Sequence, residues 1–413
     1  MRVVVTAESY LPYVSGVTVS TEALVRGLVD RGHAVLLVAP RPAPRAEISA
    51  VVGTGGRVAR SAMPGTLGEP TYAWLASYQL PRMAPRSYRM PWPLPWSRVV
   101  AAALDFGPDI VHAQSPFVSG MLALRIARRA GAPLVFTHHT RFADYRHYLG
   151  PLARPGAAVT SAFIRAFWGR CAAVIVPSTD LAAEILADLG PRSRTRVETI
   201  PTGIDTTAIA ALEPIDVRPA AGWPSDSLVV ATLGRLAREK RVDVILEAVA
   251  VAAAQAPRLR VVVIGDGPTA AVLRRRSSAP ELVGRVWFTG ALPRSEALAH
   301  LRGADLFAFA SDTETQGLVL AEALAAGLPV VALGGPGVAD SVRDGVDGVI
   351  VPRPMGGVAQ ARALGKALVQ MAHDDQRSRA MAGRAIGDAG RFDIGLRLTQ
   401  LERLYVNLVN ERS

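Results

Sequence analysis

Few residues in this chain combine the type and the spacing that chemistry needs. Glu314 and Glu322 lie within SDTETQGLVLAEALAAGLPVVALGGPG, residues 311–337. Carboxylates accept paired hydrogen bonds from vicinal diols, so two of them at a helix start suit a ligand rich in hydroxyls. An N-terminal acid followed by a polar helix face would leave the same pattern. A helix from about Gly317 to Ala326, closed by Gly327, would aim the backbone amides of Gly317 and Leu318 at an anion such as a diphosphate. Upstream, TLGRLAREKRVD (232–243) ends an apolar run at Gly234 and offers Arg235 and Lys240. A guanidinium forks onto phosphate oxygens, whereas an ammonium is a compact, mobile charge. Basic residues after a strand are commonly a wet surface. Lysine is scarce here, however: only Lys240 and Lys366 occur among 46 basic residues, and one of the two is at this position. VIGDGP (263–268), with Gly265 and Gly267, is half a dinucleotide fingerprint or simply a tight turn. His138 and His139 end another apolar run, and alternation along a strand turns only one of them toward a site; either is equally readable as structural.

These residues need elements to hold them. Buried parallel strands are expected at 2–7, 34–40, 109–114, 133–139 and 172–178, with helices such as 17–31 and 119–130 between them, closed by Gly32 and Gly131. The second half repeats the rhythm at 227–234, 259–267, 286–290, 305–311, 328–334 and 347–352. Such alternation predicts an α/β chain with a doubly wound parallel sheet in each half. The expected organisation is an N-terminal Rossmann-like domain over 1–200, a Pro- and Thr-rich linker over 201–222 and a C-terminal Rossmann-like domain over 223–392. An amphipathic helix over 393–410 follows.

At 413 residues and half hydrophobic, the chain can fill two cores. No apolar run is long enough to span a bilayer, and the N-terminus reads as a first strand, not a signal peptide. One cysteine, Cys171, excludes internal disulfides and fits a cytoplasmic protein. The net charge of +11 favours anionic partners. Its arginines are dispersed and no recognition motif accompanies them, so no nucleic-acid partner is expected. Residues 41–98 break the rhythm. Their 78–98 portion interleaves Arg with Tyr78, Tyr88, Trp92 and Trp96, which suits an anionic membrane surface and a peripheral attachment, or a Pro-rich loop packed on the first domain. No Asp-x-Asp and no His/Cys cluster offers a metal site, and no cofactor is called for.

Together, GRLAREK, GDGP and TETQGLVLAEALAAGLPVVA resemble the retaining GT-B glycosyltransferases of family 4, the last matching that family's Glu-x7-Glu motif. ESYLPYVSGVTVSTEALVRGLVDRGHAV, HAQSPFVSGMLALRIARRAGAPLVFTHHT and DYRHY extend the likeness over nearly the whole chain. The resemblance implies two Rossmann-like domains facing a cleft, the last helix crossing back to the first domain, and a nucleoside diphosphate sugar as donor. It assigns Arg235 and Lys240 to the diphosphate, Glu314 to the donor sugar, Glu322 to the ribose and His139 to the sugar near its anomeric carbon. Gly16, Gly265, Gly267, Gly317 and Leu318 would complete the donor site. THHTRFADYRHY is most similar to the branch that glycosylates diacylglycerol-type lipids, which places Asp144, Tyr145, His147 and Tyr148 beside the hydroxyl acceptor. That branch has Tyr and Glu where this chain has Phe142 and Ala143. Uridine and glucose are the expected base and sugar. A soluble acceptor, or a GT-B sugar-nucleotide epimerase, are the competing expectations.

Overall fold

The structure, a computed structural model, describes residues 1–13, 15–42, 69–79, 88–139 and 153–412. The chain forms two units: Met1–Gly203 together with Ile394–Ser413, and Ile204–Asp393.

The first unit is built on strands β1 (Arg2–Thr6), β2 (Ala34–Pro40), β3 (Thr71–Leu75), β4 (Ser77–Gln79), β5 (Arg89–Pro91), β6 (Ile110–Ala113), β7 (Leu134–Thr137), β8 (Ala173–Val176) and β9 (Arg196–Thr199). Seven of them form a parallel sheet ordered β3-β2-β1-β6-β7-β8-β9, and β4 and β5 pair as an antiparallel hairpin. Because successive side chains alternate, Val4 enters the core under helices Ser97–Phe106, Val118–Ala130 and Ala153–Trp168. Val3 and Val5 enter the other core, under Gly16–Asp30 and Ile394–Asn410. Both faces are covered, which is why the central strands read as unbroken aliphatic runs.

The C-terminal helix is tied in by size and polarity together. A Cβ on Gly27 would lie 2.2 Å from Leu398 Cδ1, so glycine here lets Leu398 of the C-terminal helix seat against helix Gly16–Asp30 without being displaced. Tyr405 is fully buried, and its hydroxyl meets His112 Nδ1 at 2.6 Å, while His112 Nε2 meets Thr137 Oγ1 at 2.7 Å. Burial, reinforced by neighbouring His139, pushes His112 down to about 3, so it is a neutral polar strut.

The second unit carries β10 (Leu228–Leu233), β11 (Leu259–Ile264), β12 (Val286–Gly290), β13 (Leu306–Phe309), β14 (Val330–Leu333) and β15 (Gly348–Val351), all parallel, in the order β12-β11-β10-β13-β14-β15. Helices Val242–Ala252 and Gly357–His373 cover one face; Arg294–Arg302 and Leu318–Ala325 cover the other.

Three expectations change. Residues 204–222 are not a linker. They hold helices Thr206–Ala210, capped by Asp205 onto Ala208 N at 2.7 Å, and Arg218–Ala221, with Ile209 and Val217 buried in the second unit. Pro and Thr there serve short helix starts and turns. The described part of 41–98 contains β3 and the β4–β5 hairpin, hidden in sequence because their strands are aromatic and short; Tyr72 and Trp74 stack at 5.1 Å. The edge strand β9, RVET, has too little aliphatic content to register as a strand.

Candidate active site

In an open α/β sheet, the crevice where strand order reverses is lined by two loops that diverge from adjacent strand ends. In the second unit that point lies between β10 and β13. A pocket opens there, lined by Gly234, Arg235, Leu236 and Lys240 after β10, by Ala310 and Ser311 after β13, and by Val319. Arg235 is exposed, and its guanidinium has no ion-pair or hydrogen-bond partner among the described residues. Lys240 Nζ, at the pocket, forms an ion pair with Glu314 Oε1, so two residues picked out by type and spacing meet.

The loop after β13 is held by side chains that motif reading missed. Asp312 N donates to the Glu239 carbonyl at 2.9 Å, and the Asp312 carboxylate accepts from Arg353 at 2.5 Å and Arg241 at 3.2 Å. Arg353 also donates to the carbonyls of Gly334 (2.7 Å), Ser311 (2.7 Å) and Ala310 (3.2 Å), joining the ends of β13, β14 and β15. Its guanidinium is held below the usual arginine range, first by desolvation. Asp312 stands two residues before Glu314 in the quoted stretch but carries no marked role there, and Arg353 stands in no recognisable motif; each lies just past a strand end.

The glycines of GDGP allow a close approach of two strand-end loops. A Cβ on Gly265 would sit 2.1 Å from the Gly234 carbonyl, and one on Gly267 would sit 2.4 Å from the Leu236 carbonyl. The two turns interlock through Gly234 N to Ile264 O (3.0 Å), Leu236 N to Asp266 O (2.9 Å) and Thr269 N to Leu236 O (3.0 Å). Gly265 and Gly267 therefore let one strand-end loop support the loop that presents Arg235.

Gly317 adopts φ 69°, ψ 58° as the N-cap of helix Leu318–Ala325, and no side chain caps it. The first amides of a helix lack partners within it, and Val319 at this start lines the pocket. Glu322 lies in the second turn of that helix, 4% exposed, and is engaged by Arg294. Burial pushes its carboxyl above the usual range, partly offset by Arg294. It does not line the pocket. Replacing Arg294 with alanine leaves a buried carboxylate unsupported and should lower stability by about 1–3 kcal/mol. That loss should shrink as pH falls and Glu322 takes up a proton; urea unfolding at pH 8 and pH 5 measures it.

In the first unit, His139 Nε2 meets Gln114 Oε1 at 2.8 Å, and burial pushes the ring down to about 4. His138 is the core member of the pair, its ring against Phe136 and Trp168. Gly16 is the first residue of helix Gly16–Asp30, where Ser15 and Thr18 form a capping box; nothing lies within 4 Å of the place a Cβ would take. Asp144, Tyr145, His147 and Tyr148 lie outside the described residues. In 78–98, residues 80–87 are also outside. Of the rest, Trp92 is 51% and Leu94 61% exposed, while Arg89 is bound to Ser77 at 2.8 Å.

This fold is similar to the crystal structure of Anabaena Alr3699/HepE in complex with UDP, with a TM-score of 0.71 over 98% of this chain and 100% of that one at 19% identity. Residues 14–208 match the model described as Glycosyltransferase Family 4, and 215–386 match Glycosyl transferases group 1. The class is thus defined as a two-domain GT-B glycosyltransferase that uses a nucleotide sugar. The chain is 30% identical over 357 residues to the alpha-monoglucosyldiacylglycerol synthase of Streptococcus pneumoniae, covering 85% of this chain and 75% of that one. It is also 30% identical over 387 residues to the GDP-mannose-dependent alpha-mannosyltransferase of Mycobacterium tuberculosis, covering 94% and 92%. The chain belongs to the family 4 glycosyltransferases and is similar to their glycolipid branch.

Proposed function

We propose that this chain transfers a glucosyl group from UDP-glucose to the hydroxyl of a diacylglycerol-type lipid, with retention at the anomeric carbon and without a metal ion. The observation that carries the donor half is the uncommitted guanidinium of Arg235, beside the Lys240–Glu314 pair and an uncapped helix start at the β10/β13 switch point. In this reading the diphosphate takes Arg235, Lys240 and the amides of Gly317 and Leu318. Lys240 exchanges Glu314 for phosphate oxygens, and Glu314 turns to the sugar hydroxyls. Once Arg294 withdraws, Glu322 accepts from the ribose. His139 contacts the sugar near its anomeric carbon.

The bond from the anomeric carbon to the phosphate oxygen breaks, and the bond to the acceptor oxygen forms on the same face. The acceptor's proton leaves with the nucleoside diphosphate. Side-chain cations and helix amides take up the charge that grows on that leaving group. EDTA should therefore leave the rate unchanged.

The lipid acceptor is supported by the likeness to the pneumococcal alpha-monoglucosyldiacylglycerol synthase and by the exposed Trp92 and Leu94, which suit a contact at headgroup depth. No helix among the described residues is long and apolar enough to cross a membrane, so this would be a surface contact. A second reading, GDP-mannose as donor, is favoured by the likeness to the mycobacterial mannosyltransferase over nearly its whole length. Incubating the chain with UDP-glucose or GDP-mannose and diacylglycerol in anionic vesicles separates these. The expected result is an α-glucosyl lipid and flotation with the vesicles. A mannosyl product supports the second reading, and transfer only to a water-soluble acceptor, with no flotation, overturns the lipid assignment.

A further inference from the structure

β6 and β7 are neighbours in the first sheet, in register through Ala113 and Phe136, and each is followed by one member of a polar pair. Gln114 is 4% exposed, and its backbone amide donates to the Thr6 carbonyl at 2.9 Å, so its main chain is fixed beside the central strand β1. Its Oε1 lies 2.8 Å from His139 Nε2. Its own Nε2 is buried and has no partner among the described residues. An amide oxygen can only accept, so this contact with Oε1 requires the ring's Nε2 to carry the proton.

We infer that Gln114 is a positioning residue for His139: its carbonyl oxygen accepts from Nε2–H and so holds the imidazole as the neutral Nε2–H tautomer in one orientation. The inference rests on the proposed place of His139 at the donor sugar. An amide oxygen suits this task because it accepts a hydrogen bond without adding negative charge. A carboxylate in the same place would fix the same tautomer and also favour the protonated ring. Among the described residues, two titratable groups on the neighbouring strands are engaged elsewhere. His112 on β6 is itself neutral and bound to Tyr405 of the C-terminal helix and to Thr137. Glu8, past the end of β1, is taken by the amide of Ser119 at 2.8 Å. Burial, by lowering His139 to about 4, acts in the same direction. With Nε2 carrying the proton, Nδ1 is the ring's acceptor nitrogen.

The test compares the wild-type chain with Gln114→Glu and Gln114→Ala by nitrogen-15 NMR of the imidazoles, with the His139 signals assigned through His139→Gln. It adds the pH dependence of kcat. The wild-type ring is expected to be neutral and protonated at Nε2 down to about pH 4. Gln114→Glu should keep that tautomer, raise the ring's apparent pKa by about one unit or more and move the acid limb of kcat to higher pH by the same amount. Gln114→Ala should lower kcat about tenfold or more, with the donor KM changed less than threefold and the melting temperature close to wild type. A wild-type ring protonated at Nδ1, or one that titrates identically in all three chains, overturns the inference. If the ring responds as expected while kcat does not, the tautomer assignment holds and the place given to His139 in the reaction falls.

Discussion

Lys240→Ala should lower kcat/KM for sugar transfer by about 10²–10³-fold while the chain stays folded. The ammonium sits at the rim of the β10/β13 pocket, one-third exposed, on a short 3₁₀ turn, Arg238–Lys240, that makes it a poor contributor to the core. Its partner in the free chain is Glu314, and a surface pair of this kind adds about 1 kcal/mol at most. The loss should therefore appear in turnover, where the ammonium meets charge developing on the departing diphosphate. Lys240→Arg should recover little, because a planar fork cannot occupy the place of a compact ion. Glu314→Gln should lose activity too, through contact with the sugar, and its donor affinity should fall less than that of Lys240→Ala. Radiolabelled transfer assays beside thermal melts separate the two effects. If Lys240→Ala keeps full turnover with wild-type donor affinity, the assignment of the pocket fails.

Gly265→Ala is expected to be among the most damaging single methyl additions in the second unit. The new Cβ would meet the Gly234 carbonyl at 2.1 Å, and Gly265 already has φ +131°, where side chains are rarely tolerated. Overpacking of a fixed backbone costs about 1–3 kcal/mol, and the backbone conformation adds about 1–2 kcal/mol. The contact is with main chain, so the relief available is a shift of the loop that carries Arg235. Donor affinity should fall together with stability. Gly284→Ala is the control: its φ is +72°, but nothing lies within 4 Å of the added atom, so it should lose about 1 kcal/mol and leave donor binding intact. Chemical denaturation and UDP titration of both variants measure the contrast.

The strand–helix rhythm was readable because the central strands are covered on both faces; Val3, Val4 and Val5 all had to be apolar, whichever core they enter. What escaped were strands at edges or built from aromatics. β9 is half-covered and tolerates Arg196 and Glu198, and β3 relies on Tyr72 and Trp74. Residues 204–222 escaped because four- and five-residue helices leave no periodicity to detect.

In the site, residue type alone left Arg235, Lys240 and Glu314 equally readable as solvated surface; the structure places Arg235 and Lys240 in the lining of one pocket and pairs Lys240 with Glu314. The glycines at 265 and 267 were legible as special, but their close approach to the carbonyls of Gly234 and Leu236 was not, since a contact between two separate loops leaves no trace in local sequence. Arg353 and Asp312 were invisible for the same cause: their meaning lies in which strand ends the sheet order places side by side. Gln114 was passed over because HAQSP has no feature that marks the glutamine as a partner of a histidine 25 residues later.

The claim on which the others depend is that the strand-end loops of the second unit grip a nucleoside diphosphate. A crystal structure of the chain grown with UDP tests it most directly. The account predicts both phosphates within hydrogen-bond distance of Arg235, Lys240 and the amides of Gly317 and Leu318, with the Lys240–Glu314 pair opened. Nucleotide density away from the β10/β13 crevice, or phosphates that leave Arg235 and Lys240 untouched, would contradict it.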